Sequence, residues 1–309
     1  MRIFENTDFG FIRNRSRGYV LSGLLMVASI VAFATRGLEL GIDFRGGMEF
    51  VVSTDTTLDA VRVRQVLTAG LASAPEVKTY GGTDLLIRTL DEGEITTVQQ
   101  RITDLISSAF PASNPVLQKT DIVGPRFASD LKRGAIYSVL GSLLVIFVYI
   151  LIRFEWRFGL GAVAALFHDV VVTLGIFSLF HGLTPFSLQI DQTIIAAFLT
   201  IVGYSLNDTV VIFDRIREYA NIFKTEPYPD MVNRSINHTL SRTIVTSGTT
   251  LLVVVTLFIF GGEVLKGFAF ALIIGILSGT YSTVFIAAPV LVELRARAQS
   301  GRKAGRSGR

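Results

Sequence analysis

Six stretches of the chain, residues 18–35, 135–152, 158–180, 193–213, 244–260 and 267–291, are nearly unbroken runs of apolar side chains. A helix of about 20 such residues crosses a bilayer, because in hydrocarbon every backbone N–H and C=O must find its partner within the segment. Each run therefore predicts a transmembrane helix. The second and sixth are the clearest, and the fourth runs on into charged residues. Lys and Arg gather at the N-terminus (Arg2, Arg13, Arg15, Arg17), in the turn 153–157, in the loop 215–242 and in the tail from Arg295. The segment 181–191 has none, and 261–266 has one. Basic residues concentrate on the cytoplasmic side, so both termini are expected there and the long segment after the first helix outside. The division is 1–17 cytoplasmic, 18–35 first helix, 36–133 extracytoplasmic domain, 134–292 helices two to six, and 293–309 a basic cytoplasmic tail. The first helix also fits a secretory signal, with a basic flank and Ala32-Phe33-Ala34. Its long apolar run favours an uncleaved anchor; cleavage would leave five helices and a new N-terminus outside.

The outside domain alternates between the two periodicities. Residues 48–53 read as a strand, and 58–71 as a helix through Leu58, Val61, Val66, Leu67 and Leu71. Residues 76–80 and 84–89 read as strands joined through Gly81-Gly82. Residues 96–110 give a second helix through Val98, Ile102, Leu105 and Ile106, and 116–123 a closing strand. The order βαββαβ predicts a small ferredoxin-like α+β domain. Asp59 and Thr96 stand near the helix starts, where a side-chain oxygen can accept orphan N–H groups. Such a domain is too small for a deep catalytic cleft; a sheet face or edge that holds an extended chain suits it better.

Composition narrows the chemistry. Of 309 residues, half are hydrophobic and 17% charged, with 23 Phe, one Trp and no Cys. The missing Cys excludes disulfides, thiolate metal sites and a Cys nucleophile. The net charge of +4 is small, and no basic patch with interleaved aromatics marks a nucleic-acid face. There is no Gly-xxxx-Gly-Lys-Ser/Thr loop and no Gly-x-Ser-x-Gly elbow. The three His (His168, His181, His238) are scattered. Neither an enzyme nor a cofactor is expected.

What remains is polar residues inside the apolar spans, which are costly there and face a bundle interior or a water path. Asp169 lies in the middle of the third helix, after His168 and one turn before Thr173. Loss of water favours its neutral form, so it can carry a proton; equally, a neutral, hydrogen-bonded Asp can bind two helices together. In the fourth helix Asn207 and Asp214 share a face, Asp208 lies above Arg215, and Gly203 is one turn from Asn207. Arg215 can hold nearby acids ionised, while Arg217 and Glu218 suit a solvated helix end. In the fifth helix, Thr243, Thr246, Ser247 and Thr250 either line a wet seam or bond back to their own backbone. In the sixth, Gly275, Gly279 and Thr283, with Ser278 and Ser282 beside them, suit close helix packing. The glycine-rich run 41–47 is not followed by a helical pattern and reads as a sharp turn from membrane to first strand. Asp43 and Arg45 are placed to brace that turn, with Gly41, Gly46 and Gly47 giving it freedom.

These motifs resemble those of the SecF family, the smaller membrane subunits of the bacterial SecD–SecF accessory complex of the Sec protein translocase. The run 41–47 is similar to the family's Gly-x-Asp-Phe-x-Gly-Gly signature, and Leu166-Phe-His-Asp-Val170 to its third-helix motif. Residues 203–218 match its fourth-helix signature, and Thr246-Ser-Gly-Thr-Thr250 with Phe260-Gly-Gly262 its fifth. The fourth-helix run is the most specific of these, and the glycine run is less so. The resemblance implies a membrane α-helical half-transporter of RND type, six helices paired with SecD's six in the cytoplasmic membrane. It implies association with the SecY-E-G translocon and use of the proton motive force to draw preproteins out in late-stage translocation. It carries the family's intramembrane acids and Arg onto Asp169, Asp208, Asp214 and Arg215. Two other readings fit the residues: a half-size RND-type exporter of a small apolar molecule, and a non-transporting scaffold for a translocase.

Overall fold

The computed structural model describes residues 7–90, 93–184 and 186–307; Arg2 of the basic N-terminus and the last two residues of the tail lie outside these. Six helices are long and apolar enough to cross a membrane: Arg15–Arg36, Pro125–Arg153, Trp156–Phe180, Gln192–Ile222, Tyr228–Phe260 and Leu265–Ala298. We label the first five of them α1, α5, α6, α7 and α8, in chain order with the short helices below. The helices outrun the apolar stretches at their ends. The basic segment 215–242, read as a loop, is instead the end of α7, a short turn and the first turns of α8. Apolar content marks what hydrocarbon tolerates, whereas a helix continues wherever its backbone bonds can, with charged side chains reaching outward from its ends.

Between α1 and α5 lies the small domain. Its elements are a single-turn helix α2 (Ile42–Arg45), β1 (Gly47–Ser53), α3 (Ala60–Gly70), β2 (Glu76–Tyr80), β3 (Asp84–Thr89), α4 (Ile95–Ala109) and β4 (Val116–Val123). The sheet order is β2-β3-β1-β4 with every neighbouring pair antiparallel, in agreement with the ferredoxin-like domain expected. Alternation sends Met48, Phe50, Val52, Leu85 and Ile87 to one face, where α3 and α4 cover them with Val63, Leu67, Val98, Ile102 and Ile106. Glu49, Arg88, Val51 and Leu86 take the other face. Asp59 caps α3, its side chain accepting from the Val61 N–H at 2.9 Å. Thr96 does not cap α4: Glu94 holds the cap position without a side-chain bond, and Thr96 falls inside the first turn.

The glycine run also departs from the expected turn. Residues 42–45 close one helical turn, which Gly46 ends at φ 79° before Gly47 enters β1 at φ 114°. Both are left-handed conformations that favour glycine. A Cβ on Gly47 would stand 2.7 Å from the Thr89 carbonyl oxygen. Arg45 is exposed.

The sixth span is α9 (Gly262–Ser282), a π-helical turn (Thr283–Ala287) and α10 (Ala288–Ser307). Small residues set the approaches, as the Gly275 and Gly279 spacing suggested. A Cβ on Gly279 would lie 3.0 Å from that of Ser205 in α7. Where α1 crosses α6, a Cβ on Gly175 would fall 2.6 Å from Ser29 Cα, which is backbone and has no rotamer to escape by. Gly175→Leu is therefore expected to destabilise the bundle by about 1–3 kcal/mol. The check is thermal unfolding of the purified chain in detergent; an unchanged midpoint would show that this crossing is not held.

The small domain is bound to the bundle at its root. Residues 39–41 run parallel to 189–190, with the Gly41 N–H donating to the Ile190 carbonyl and the Ile190 N–H to that of Glu39, each at 2.8 Å. The Ser178 hydroxyl donates to the Gly37 carbonyl at 2.6 Å.

Candidate functional site

Asp169 is 1% exposed, at the middle of α6. Three hydroxyls from two other helices converge on its carboxyl group: Ser205 of α7 at 2.7 Å, and Ser278 and Ser282 of α9 at 2.7 and 2.8 Å. His168 Nδ1 adds a fourth contact at 3.1 Å, and its Nε2 is buried with no hydrogen-bond partner among the described residues. A carboxylate offers about four acceptor sites, and these partners fill them. A hydroxyl is donor and acceptor at once, so each serine can turn to serve a protonated carboxyl as well. Ser282 already has a second acceptor, the Gly279 carbonyl at 3.2 Å. The site therefore tolerates both charge states while linking three helices. Ser278 and Ser282 are four residues apart on one face of α9, so their role goes beyond the packing expected of them.

Asp208 lies on α7 nearer the charged end. Its Oδ1 accepts from the Thr243 hydroxyl of α8 at 2.6 Å, while Oδ2 is buried without a partner among the described residues. Arg242, beside Thr243, is the cation whose charge acts on it, and nothing in its place at the end of a basic run singles it out. Beside Asp208, Ala196, Thr200, Gly203 and Asn207 are exposed at steps of four, three and four residues. They form one stripe of small and polar side chains on the outer surface of a span.

The other predicted members separate from this group. Arg215 does not meet Asp208: its Nη1 donates to Glu218 at 2.9 Å, and its guanidinium lies over the Tyr219 ring. Seven residues of helix rise about 10 Å, so a shared face two turns apart gives no ion pair. Asp214 pairs with Arg153 at 2.9 Å, and both side chains are close to half exposed. The hydroxyls of α8 divide between the two expectations. Thr243 and Ser247 reach other helices, Ser247 meeting Thr280 at 2.8 Å, whereas Thr250 donates back to the Thr246 carbonyl at 2.9 Å.

Asp43, expected to brace its own turn, instead reaches the fourth span. Its Oδ2 accepts from the Gln192 N–H at 2.9 Å, and Asp191 Oδ1 accepts from that of Ile194 at 2.8 Å. Two acids thus satisfy orphan donors and oppose the positive end of the helix that carries Ser205 and Asp208. The glycine run joins the root of β1 to that helix.

Comparison with known proteins agrees with this arrangement. The family profile described as protein export membrane protein SecD/SecF, C-terminal, matches residues 103–297, and the SecD/SecF GG motif matches 31–58. The protein translocase subunit SecF of Rhodothermus marinus is 67% identical over 303 residues, covering 98% of both chains. That of Haemophilus influenzae is 37% identical over 288 residues, covering 93% of this chain and 86% of its own. The crystal structure of SecDF, a translocon-associated membrane protein from Thermus thermophilus, superposes with a TM-score of 0.86 at 31% identity. That match takes in 96% of this chain and 40% of the SecDF chain, so the present chain spans less than half of that longer polypeptide. A second SecDF structure, in a super-membrane-facing form, gives 0.72 at 29% identity over 97% of this chain. Profile matches at the glycine run and through five spans, and full-length identity to SecF relatives, establish that the chain belongs to the SecF family of bacterial inner-membrane subunits accessory to Sec protein translocation.

Proposed function

We propose that this chain pairs with a SecD subunit and uses the proton gradient to drive late-stage preprotein movement at the SecY-E-G channel. In this reading both termini are cytoplasmic and the small domain lies outside. The observation that carries it is Asp208, a carboxyl inside a span with one oxygen bonded to Thr243 and the other buried and unmatched among the described residues. A proton entering at Oδ2 removes a charge that hydrocarbon resists and changes which packing of α7 against α8 is favoured. The exposed stripe through Thr200, Gly203 and Asn207 supports a protein neighbour on that side, since lipid offers an amide no partner. Asp169, Asp214, Arg215 and Asn207 remain the other candidates for coupling, Asp169 as the second proton site.

The motion has a route outward. Displacement of α7 reaches its first turn, where Asp43 holds the Gln192 N–H, and passes through Gly46 and Gly47 into β1. Driving force suffices, because one charge crossing 100 mV releases about 2.3 kcal/mol. The orientation rests on the Arg residues at the α5–α6 and α7–α8 turns against their scarcity at the opposite ends.

The test is ejection of a secreted preprotein from vesicles containing the paired subunits, with and without an uncoupler. Removing this chain is expected to abolish the gradient's acceleration. If removal slows ejection equally in both conditions, the chain acts as a scaffold and the reading fails.

A further inference from the structure

Away from the intramembrane acids, a second titratable cluster closes the joint between the small domain and the bundle. Glu39 follows α1 and its side chain is 7% exposed. Lys78 of β2 donates to both its oxygens at 2.7 Å and also pairs with Glu76 of the same strand at 3.0 Å. His181, just past α6, places Nδ1 against Glu39 Oε2. Gln189, in the segment before α7, donates its amide to Glu39 Oε1 and reaches Glu76 Oε1 at 3.4 Å. Two further cations act from the rim. One is Arg88 of β3, bound to Glu49; the other is Arg36 at the end of α1, which donates to the Leu179 carbonyl. One ammonium thus stands between two carboxyl groups, and the four segments that meet there belong to both bodies.

We propose that the Glu39–Glu76 carboxyl pair binds one shared proton and acts as a latch, holding β2 of the small domain against the α6–α7 connection. Two carboxyls this close to one Lys carry a net negative charge in a partly buried joint, and a single proton neutralises it. The proton belongs to Glu39, the more buried of the two; Glu76 is 29% exposed. Burial, reinforced by the hydrogen bond to Glu76, raises the Glu39 carboxyl from 4.5 to about 7. Burial opposes the charge on Glu76, yet the bond from Glu39 and the Lys78 ammonium bring it down to about 2. Burial and Lys78 hold the His181 imidazole below its ordinary range.

The direction of the response follows. Glu39 binds its proton more tightly in the closed joint than in water. Its contribution to closure is complete below about 4.5 and is lost as pH rises through about 7. Glu76 contributes fully above 4.5 and loses its share only as pH falls toward 2. His181, kept neutral by the closed joint, tempers the gain as pH falls below 6.5. Closure is therefore flat above about 7, strengthens as pH falls through it, and levels off below about 6.5, where the open joint binds its own proton at His181.

The native chain has no Cys, so spin labels can be placed at Gln100→Cys on α4 and Leu183→Cys beyond α6 without background. The labelled full chain, in lipid nanodiscs, is titrated from pH 8.5 to 5 and the inter-label distance distribution followed. The ratio of closed to open populations is expected to be constant above pH 8, to rise as pH falls through 7 by no more than about tenfold per pH unit, and to level off below about 6.5. Glu39→Gln is expected to remove the rise and to leave only the weakening of closure that His181 causes below about 6.5. Glu76→Gln, which takes away the carboxylate that the shared proton bonds, moves the onset to lower pH. A distribution unchanged across the range in the otherwise native chain overturns the proposal, whether or not either variant folds. So does a Glu39→Gln chain that titrates as before. Neither outcome depends on Asp169 or Asp208, so the latch and the membrane coupling stand or fall separately.

Discussion

Asp169→Ala is expected to lower the stability of the bundle by about 3 kcal/mol or more, because it leaves three serine hydroxyls and an imidazole without their acceptor in a dry interior. The loss is spread over three helices: Ser205 anchors α7, and Ser278 and Ser282 anchor α9. Some of it is recoverable, since Ser282 can fall back on the Gly279 carbonyl, 3.2 Å away. Asp169→Asn keeps one oxygen acceptor and substitutes an amide that the serines can meet by turning, so it is expected to cost less than half as much. Unfolding of the purified chain in bicelles checks the order native, Asn, Ala. An Ala variant as stable as the native chain would mean that the hydroxyl cluster does not hold the helices.

The second large effect is on transport rather than stability. Asp208 shares only Oδ1 with the fold, through Thr243, and leaves Oδ2 uncommitted. Asp208→Asn keeps an oxygen for Thr243 but can no longer gain and lose a proton. The variant is therefore expected to fold, insert and pair, and to support secretion no better than a strain lacking the chain. Accumulated preprotein in a complemented depletion strain is the readout. Thr243→Val separates position from chemistry: it removes the bond that aims Asp208 and is expected to give an intermediate defect. A fully active Asp208→Asn chain would place the proton elsewhere.

The helical plan was legible because a span's length and apolarity are properties of one contiguous segment. The small domain was legible for a related reason: its two periodicities alternate within short segments, and their order suggests the ferredoxin-like sheet found. What escaped the sequence depends on contacts between segments or on a few residues. The turn Ile42–Arg45 is four residues long and flanked by glycines, too short to show a period. The π turn at Thr283–Ala287 changes no residue type that a pattern could register. Asp169 was visible as a lone acid, but its partners come from helices 36 to 113 residues distant, and no local spacing reports them. Arg215 shares a helix face with Asp208, but two turns separate them and Glu218 stands within one turn of it. Asp43 was noticed, yet its partner Gln192 is 149 residues away.

The central claim is that a carboxyl inside the bundle converts the proton gradient into preprotein movement. The most direct measurement is the ratio of ejection rates with and without the gradient, in vesicles carrying either the native subunit or Asp208→Asn at equal amounts. The native chain is expected to give a ratio well above one, and the variant a ratio of one with an unchanged basal rate. A variant that keeps the full gradient response would contradict the account.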